Sequence, residues 1–304
     1  MSEASAGKCI CYHLPGLFEF GELYRRFLPL FYEKREWFYD WCGIGSLYGA
    51  PADCIWGGGR VGCGEEDPEE ALALLRAYGI SARLTFSNSL LREEHLRDRR
   101  CNALCARLAR EGEGKHGVIV SSELLLGHLR EHFPELYPVS STTKVLTDFS
   151  DFEREVRREE FRYAVPDFRL NRAFARWDGL APELRGKVEF LCNEGCWYGC
   201  PDRRRCYEQV SRKCLGESLE DFPCRAPHAA EGYRFSRAME SPGFIGPEEI
   251  LRDYAPRGFT QFKLEGRGLG SAVVLELLLF YLTKPEYRLR VREEIYLDSC
   301  LNLF

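Results

Sequence analysis

The chain has 304 residues, 45% of them apolar and 29% charged, with a formal net charge of −5. This apolar share supports a core that holds without disulfides, and the net acidity excludes a molecule-wide basic field that would gather nucleic acid. The length suits one domain spanning 1–304.

The opening stretch MSEASAGKCICYHLPG has no basic segment leading into an apolar run, so no secretory leader and a cytoplasmic location are expected. CICYH (9–13) reads as the first strand, followed by a helical pattern through GELYRRFLPLFYEKREWFYDW. The second strand is predicted at ADCIW (52–56). The helix after it, PEEALALLRAYGI, has Asp67 as N-cap and Pro68 at its first position. ARLTF (82–86), GVIVS (117–121), YPVSS (137–141), YAVP (163–166), VEFLC (188–192) and TQFKL (260–264) continue the strand series. Helical patterns separate them, and SAVVLELLLFYL, with Glu276 inside it, is too short to span a membrane. Eight strands alternating with helices predict a (β/α)8 TIM-like barrel, with an open doubly wound sheet as the alternative.

In such a barrel chemistry belongs at the carboxyl ends of the strands. Those ends carry Arg60, Ser87, Asn88, Ser141, Asp167, Asn171, Asn193, Glu194, Glu265 and Arg267. Asn and Ser there serve as helix caps as readily as ligands. Two guanidinium groups, Arg60 and Arg267, suit an anionic small molecule bearing carboxylate or phosphate. GGGRVGCG has phosphate-loop glycines but lacks the G-x4-G-K-[ST] pattern. No G-x-S-x-G or H-E-x-x-H motif is present.

The cysteine-rich segment 192–224 is inserted between strands seven and eight. CNEGCWYGCPDRRRC places Cys192, Cys196, Cys200 and Cys206 within fifteen residues, and Cys214 and Cys224 follow. Clustered thiolates without interleaved histidines favour zinc or iron–sulfur. Three-residue spacings replace the tight knuckles of structural zinc, and Cys200 precedes Pro201 as the last ligand of a ferredoxin run precedes proline. An iron–sulfur centre is therefore expected, with zinc as the alternative. Cys192 closes an apolar run that faces it toward the core. Arg203, Arg204 and Arg205 would offset the charge of a thiolate-ligated cluster. The remaining cysteines, Cys9, Cys11, Cys42, Cys54, Cys63, Cys101, Cys105 and Cys300, read as ordinary packing residues. His228, shortly after Cys224, reads as a surface residue.

FKLEGRG, 262–268, resembles the K-[IL]-E-G-R element of the collagenase-like peptidases, family U thirty-two, and like it follows a cysteine-rich segment. The resemblance implies a barrel with four cysteines on a 4Fe-4S cluster. It implies oxygen-independent hydroxylation of an RNA base or a small aromatic substrate; the peptidase label is the older reading. Carried onto this chain, it selects Lys263, Glu265, Gly266 and Arg267, with thiols drawn from Cys192, Cys196, Cys200, Cys206, Cys214 and Cys224. The expected ligands are Cys196, Cys200 and Cys224, with Cys206 or Cys214 as the fourth. Glu265, Arg267 and Arg60 are the expected catalytic residues, Glu265 orienting Arg267 or handling a proton. Lys263 and Asn193 are the expected cofactor contacts. The family's Ser-Gly between its first two ligands is replaced here by NEGCWYG, which marks a distant branch. Alternatives are a non-catalytic metal-binding partner subunit or scaffold, in a hetero- or homo-oligomer, and a peptidase.

Overall fold

The computed structural model describes residues 9–59, 64–220 and 222–300. Eight parallel strands form one sheet: β1 (Ile10–Pro15), β2 (Cys42–Gly49), β3 (Ser81–Phe86), β4 (Gly117–Val120), β5 (Tyr137–Ser140), β6 (Tyr163–Ala164), β7 (Glu189–Leu191) and β8 (Gln261–Lys263). Their order is β6-β5-β4-β3-β2-β1-β8-β7, and a parallel bridge from Ala164 to Val188 joins the two ends. The fold is a (β/α)8 barrel.

Seven strands lie where their sequence places them. The second does not: 52–56 is a turn segment on the rim, and β2 is CGIGSLYG. Its glycines lower strand propensity, yet the fold needs them bare. A Cβ at Gly45 would stand 2.8 Å from His13 Cε1, and one at Gly49 2.8 Å from Glu19 Oε2.

The helices between strands include α1 (Gly21–Glu33), α2 (Pro68–Tyr78), α3 (Arg99–Ala109), α4 (Glu123–His132), α5 (Phe149–Arg157), α6 (Phe174–Gly179), α7 (Pro182–Arg185) and α8 (Arg203–Cys214). Asp67 caps α2, its carboxylate accepting the Glu69 amide at 2.7 Å. REEHLRDRRCNALCARLAREG, 92–112, reads as one helical pattern but is divided at Asp98, whose side chain accepts the Cys101 amide and starts α3 afresh. After β8 the helix Ser271–Leu282 is apolar on nearly every face and packs into the core. Among the described residues, no helix is long and apolar enough to cross a membrane.

Strand alternation assigns two faces. Ile10, Tyr12, Leu14, Leu84, Phe86, Phe190 and Phe262 join the large core between strands and helices. Phe190 and Phe262 stack there, with Trp177, Tyr254 and Phe259 edge-on against Phe190. Tyr48, Ile119, Tyr137, Val139, Val165 and Leu191 form a separate cluster. Alongside it lie the charges of β1, β3, β7 and β8: His13, Arg83, Glu189 and Lys263, all buried.

Candidate functional site

The interior charges are mutually paired. Arg83 Nη1 donates to Glu189 Oε2 at 2.5 Å, and its Nε donates to the Tyr137 hydroxyl at 3.0 Å. His13 Nδ1 pairs with Ser46 Oγ at 2.8 Å, while Nε2 meets Gln261 Oε1 at 3.0 Å and Glu189 Oε2 at 3.4 Å. Burial, reinforced by Arg83, holds the imidazole down to about 3. Burial opposes ionisation of Glu189 too, but Arg83, His13 and Lys263 outweigh it and hold the carboxyl at about 2. Lys263 Nζ sits 3.8 Å from Glu189 Oε1 and 3.9 Å from the centre of the Tyr48 ring.

Above this network opens a small cavity of about 70 Å³, lined by Tyr48, Thr85, Ser87, Thr143, Lys263 and Arg267, among others. Arg267 Nη2 donates to Gly58 O at 3.0 Å, and Nη1 lies 3.9 Å from Glu19 Oε1. Glu19, from the β1–α1 loop, thus places a carboxylate beside Arg267 that the reading of strand ends did not include. Burial pushes the Glu19 carboxyl above its ordinary range, against the pull of Arg267. Glu265 also lines this cavity, and its Oε2 accepts the Gly195 amide at 3.1 Å. Asn193, expected as a cofactor contact, clamps the chain after β8. Its side-chain amide donates to Glu265 O at 3.0 Å and accepts from Glu265 N at 2.7 Å. Arg60 and Cys63 lie outside the described residues.

A second, larger cavity of about 790 Å³ adjoins the mouth, and Cys196, Cys200, Cys206 and Cys224 line it together. The other two thiols of the segment lie elsewhere. Cys192 is fully buried with its Sγ toward Phe190 O, and burial pushes its thiol well up, as its apolar run foretells. Cys214, at the end of α8, faces the rim turn near Gly57 and Cys54. Among the described residues, no three Cys, His, Asp or Glu side chains stand close enough to hold a metal ion. His228 lines the same cavity, with Nδ1 paired to Glu231 at 2.9 Å. Cys101 and Cys105 pack in the core as expected, whereas Cys9 is exposed.

Buried charge frames this thiol cavity. Asp167, after β6, accepts Arg169 Nε at 2.6 Å, and its other oxygen lies 3.4 Å from Arg203 Nε. Arg203 also pairs with Glu194, whose Oε1 accepts the Cys196 amide at 2.9 Å. Arg169 Nη1 donates to Cys200 O at 3.2 Å. Glu194 and Arg169 thereby fix the backbone of two thiol-bearing residues. Arg203 is nearly fully buried, and its Nε and Nη1 have no hydrogen-bond acceptor among the described residues. Asp202, Arg203 and Cys206 bring the first turn of α8, the positive end of its dipole, to the cavity wall. Of the three consecutive arginines only Arg203 faces inward; Arg205 is exposed and Arg204 donates to Lys144 O.

Thr85, His13, Arg83 and Glu189 escape a reading of strand ends because they lie within strands. Their signal is a charged or polar residue at alternate positions of an apolar run, as in ARLTF and VEFLC.

No family model and no curated protein matches the chain. Its fold is similar to that of a solved structure described as the U32 peptidase Mk0906, with a TM-score of 0.51 and 14% sequence identity. The match covers 88% of this chain and 96% of that one. The relationship is a distant one of fold.

Proposed function

We propose that the chain is an iron–sulfur barrel protein in which Cys196, Cys200, Cys206 and Cys224 supply thiolates to a 4Fe-4S cluster. The observation that supports this reading is that these four soft donors line one cavity, although no three of them stand within reach of a common ion in this structure. Arg203, whose charge Glu194 and Asp167 share, keeps Nη1 without an acceptor among the described residues as a donor for an occupant there. Bound, a cluster would supply one-electron redox chemistry. The chain's own residues would position and orient: Glu194 and Arg169 set the ligand backbones, and Arg203 balances thiolate charge. Trp197, 42% exposed, and Tyr198 are among the residues lining the cavity, in keeping with a nucleobase or small aromatic substrate for oxygen-independent hydroxylation. A ligand carboxylate or phosphate would meet Arg267 at the mouth.

Anaerobic isolation followed by iron and acid-labile sulfide analysis tests this. The expected result is a brown protein with about four iron and four sulfide per chain, its visible absorption bleaching with dithionite. Zinc in place of iron would replace redox chemistry with a structural metal site. A colourless, metal-free protein after reconstitution would overturn the proposal.

The description of the structural neighbour favours a second reading, peptide hydrolysis. It predicts peptide cleavage that falls on Glu265→Gln substitution; no cleavage, or cleavage indifferent to that change, removes the reading.

A further inference from the structure

We propose that Lys263 is an imine-forming lysine whose partner is a small oxo acid, a carbonyl compound carrying a carboxylate. The inference concerns the small mouth cavity and requires nothing of the thiol cavity.

Lys263 ends β8 and is buried at the floor of the mouth, where its side chain lines the cavity. The Nζ–Glu189 Oε1 separation of 3.8 Å exceeds hydrogen-bond length, and the strong hydrogen bond to that carboxylate comes from Arg83 on β3. The charged and titratable groups around Nζ are held by the barrel: His13 from β1, Tyr48 from β2, Arg83 from β3, Glu189 from β7, and Arg267 beyond β8, while Glu194 and Glu265 also line the cavity. Desolvation removes support for the ammonium, Glu189 restores part of it, and Arg83 and Arg267 oppose it. The amine is consequently held at about 8, where a large neutral fraction exists under mild conditions.

The cavity is also prepared for oxygen atoms. Thr85 Oγ1 and Ser87 Oγ are buried without hydrogen-bond partners among the described residues. A Cβ built on Gly59 would stand 3.6 Å from both Arg267 Nη2 and Ser87 Oγ, so a cation and a hydroxyl converge where Gly59 leaves room. That pair suits a carboxylate. A volume of about 70 Å³ admits only a few heavy atoms, such as the oxo-acid end of a substrate.

The step balances without an oxidant. The neutral Nζ lone pair attacks the carbonyl carbon, forming a C–N bond, and the proton lost from nitrogen passes to the former carbonyl oxygen. That oxygen, protonated a second time, leaves as water while a C=N bond forms, and the last amine proton returns to solvent. Amine and carbonyl thus give imine and water.

The test is reductive trapping of the full chain with glyoxylate and cyanoborohydride, followed by peptide mapping. The expected result is saturable labelling of the Lys263 peptide at pH near 8, on the order of 50-fold slower two pH units lower. Propanal, which lacks the carboxylate, is expected to label Lys263 at least about tenfold more slowly, the loss of one charge-assisted contact. Arg267→Gln should erase that preference for glyoxylate. Labelling spread over exposed lysines with Lys263 unmodified overturns the proposal, as does equal labelling by glyoxylate and propanal. The wild-type map decides even if Lys263→Met does not fold. The iron and sulfide content of the same preparation reports separately on the thiol cavity.

Discussion

Replacing Glu189 by Gln would leave Arg83 and Lys263 buried with no full countercharge, since Glu189 is the carboxylate common to both. Breaking a buried pair from one side costs about 3–5 kcal/mol. Glu189→Gln should therefore lower the urea midpoint sharply; an unchanged midpoint would mean the interior cations find other support. The same network sets the acid limit. Glu189 is held at about 2 against an ordinary 4.5, so its stabilisation is present above 4.5 and lost as pH falls toward 2. His13, held at about 3 against 6.5, is neutral in the fold while the unfolded chain takes up a proton between those values, so stability again falls with pH across that window. A pH series of urea melts should slope from about 6.5 downward, and His13→Gln should flatten the segment between 6.5 and 4.5.

Among the elements, β2 shows where propensity and packing part. CGIGSLYG lacks the β-branched run expected of a strand, because His13 and Glu19 occupy the space beside Gly45 and Gly49. Gly45→Ala should accordingly destabilise by about 1–3 kcal/mol, despite alanine's greater stiffness in the unfolded chain. A neutral or stabilising result in thermal melts would show that the His13 ring yields. At α2 local chemistry suffices: Asp67→Ala should cost about 1 kcal/mol, readable as a shift of a few degrees in Tm. This contrast explains what could be read from the chain alone. Caps, apolar periods and the cysteine spacing act over short stretches, and they yielded seven strands, α2 and the choice of Cys196, Cys200 and Cys224, which line one cavity, with the fourth thiol left open between Cys206 and Cys214. The Glu19–Arg267 contact and the Asn193 clamp on Glu265 join segments far apart in the chain, which no local pattern encodes. Cys192 was legible because it ended VEFLC. Cys214 was not, because its place depends on where α8 docks against the rim, where Asn88 Nδ2 donates to Ser211 O.

At the scale of the molecule, the barrel's seven principal strand pairings are unequal to the eighth. β6 meets β7 through the bridge between Ala164 and Val188, with the Ala164 amide donating to Lys187 O at 2.8 Å, whereas β2 to β5 are joined by four-residue ladders. Opening there breaks few hydrogen bonds, so amide exchange at Ala164 should run ahead of Leu84 and Ile119. Equal protection at all three would make the barrel one cooperative ring.

Glu194 and Tyr207 line both cavities. They act as a party wall, to which Tyr207 brings a phenol ring. Shaving that ring to a methyl group, as in Tyr207→Ala, would knock two rooms into one and give whatever enters at the barrel mouth a passage to the sulfur atoms next door.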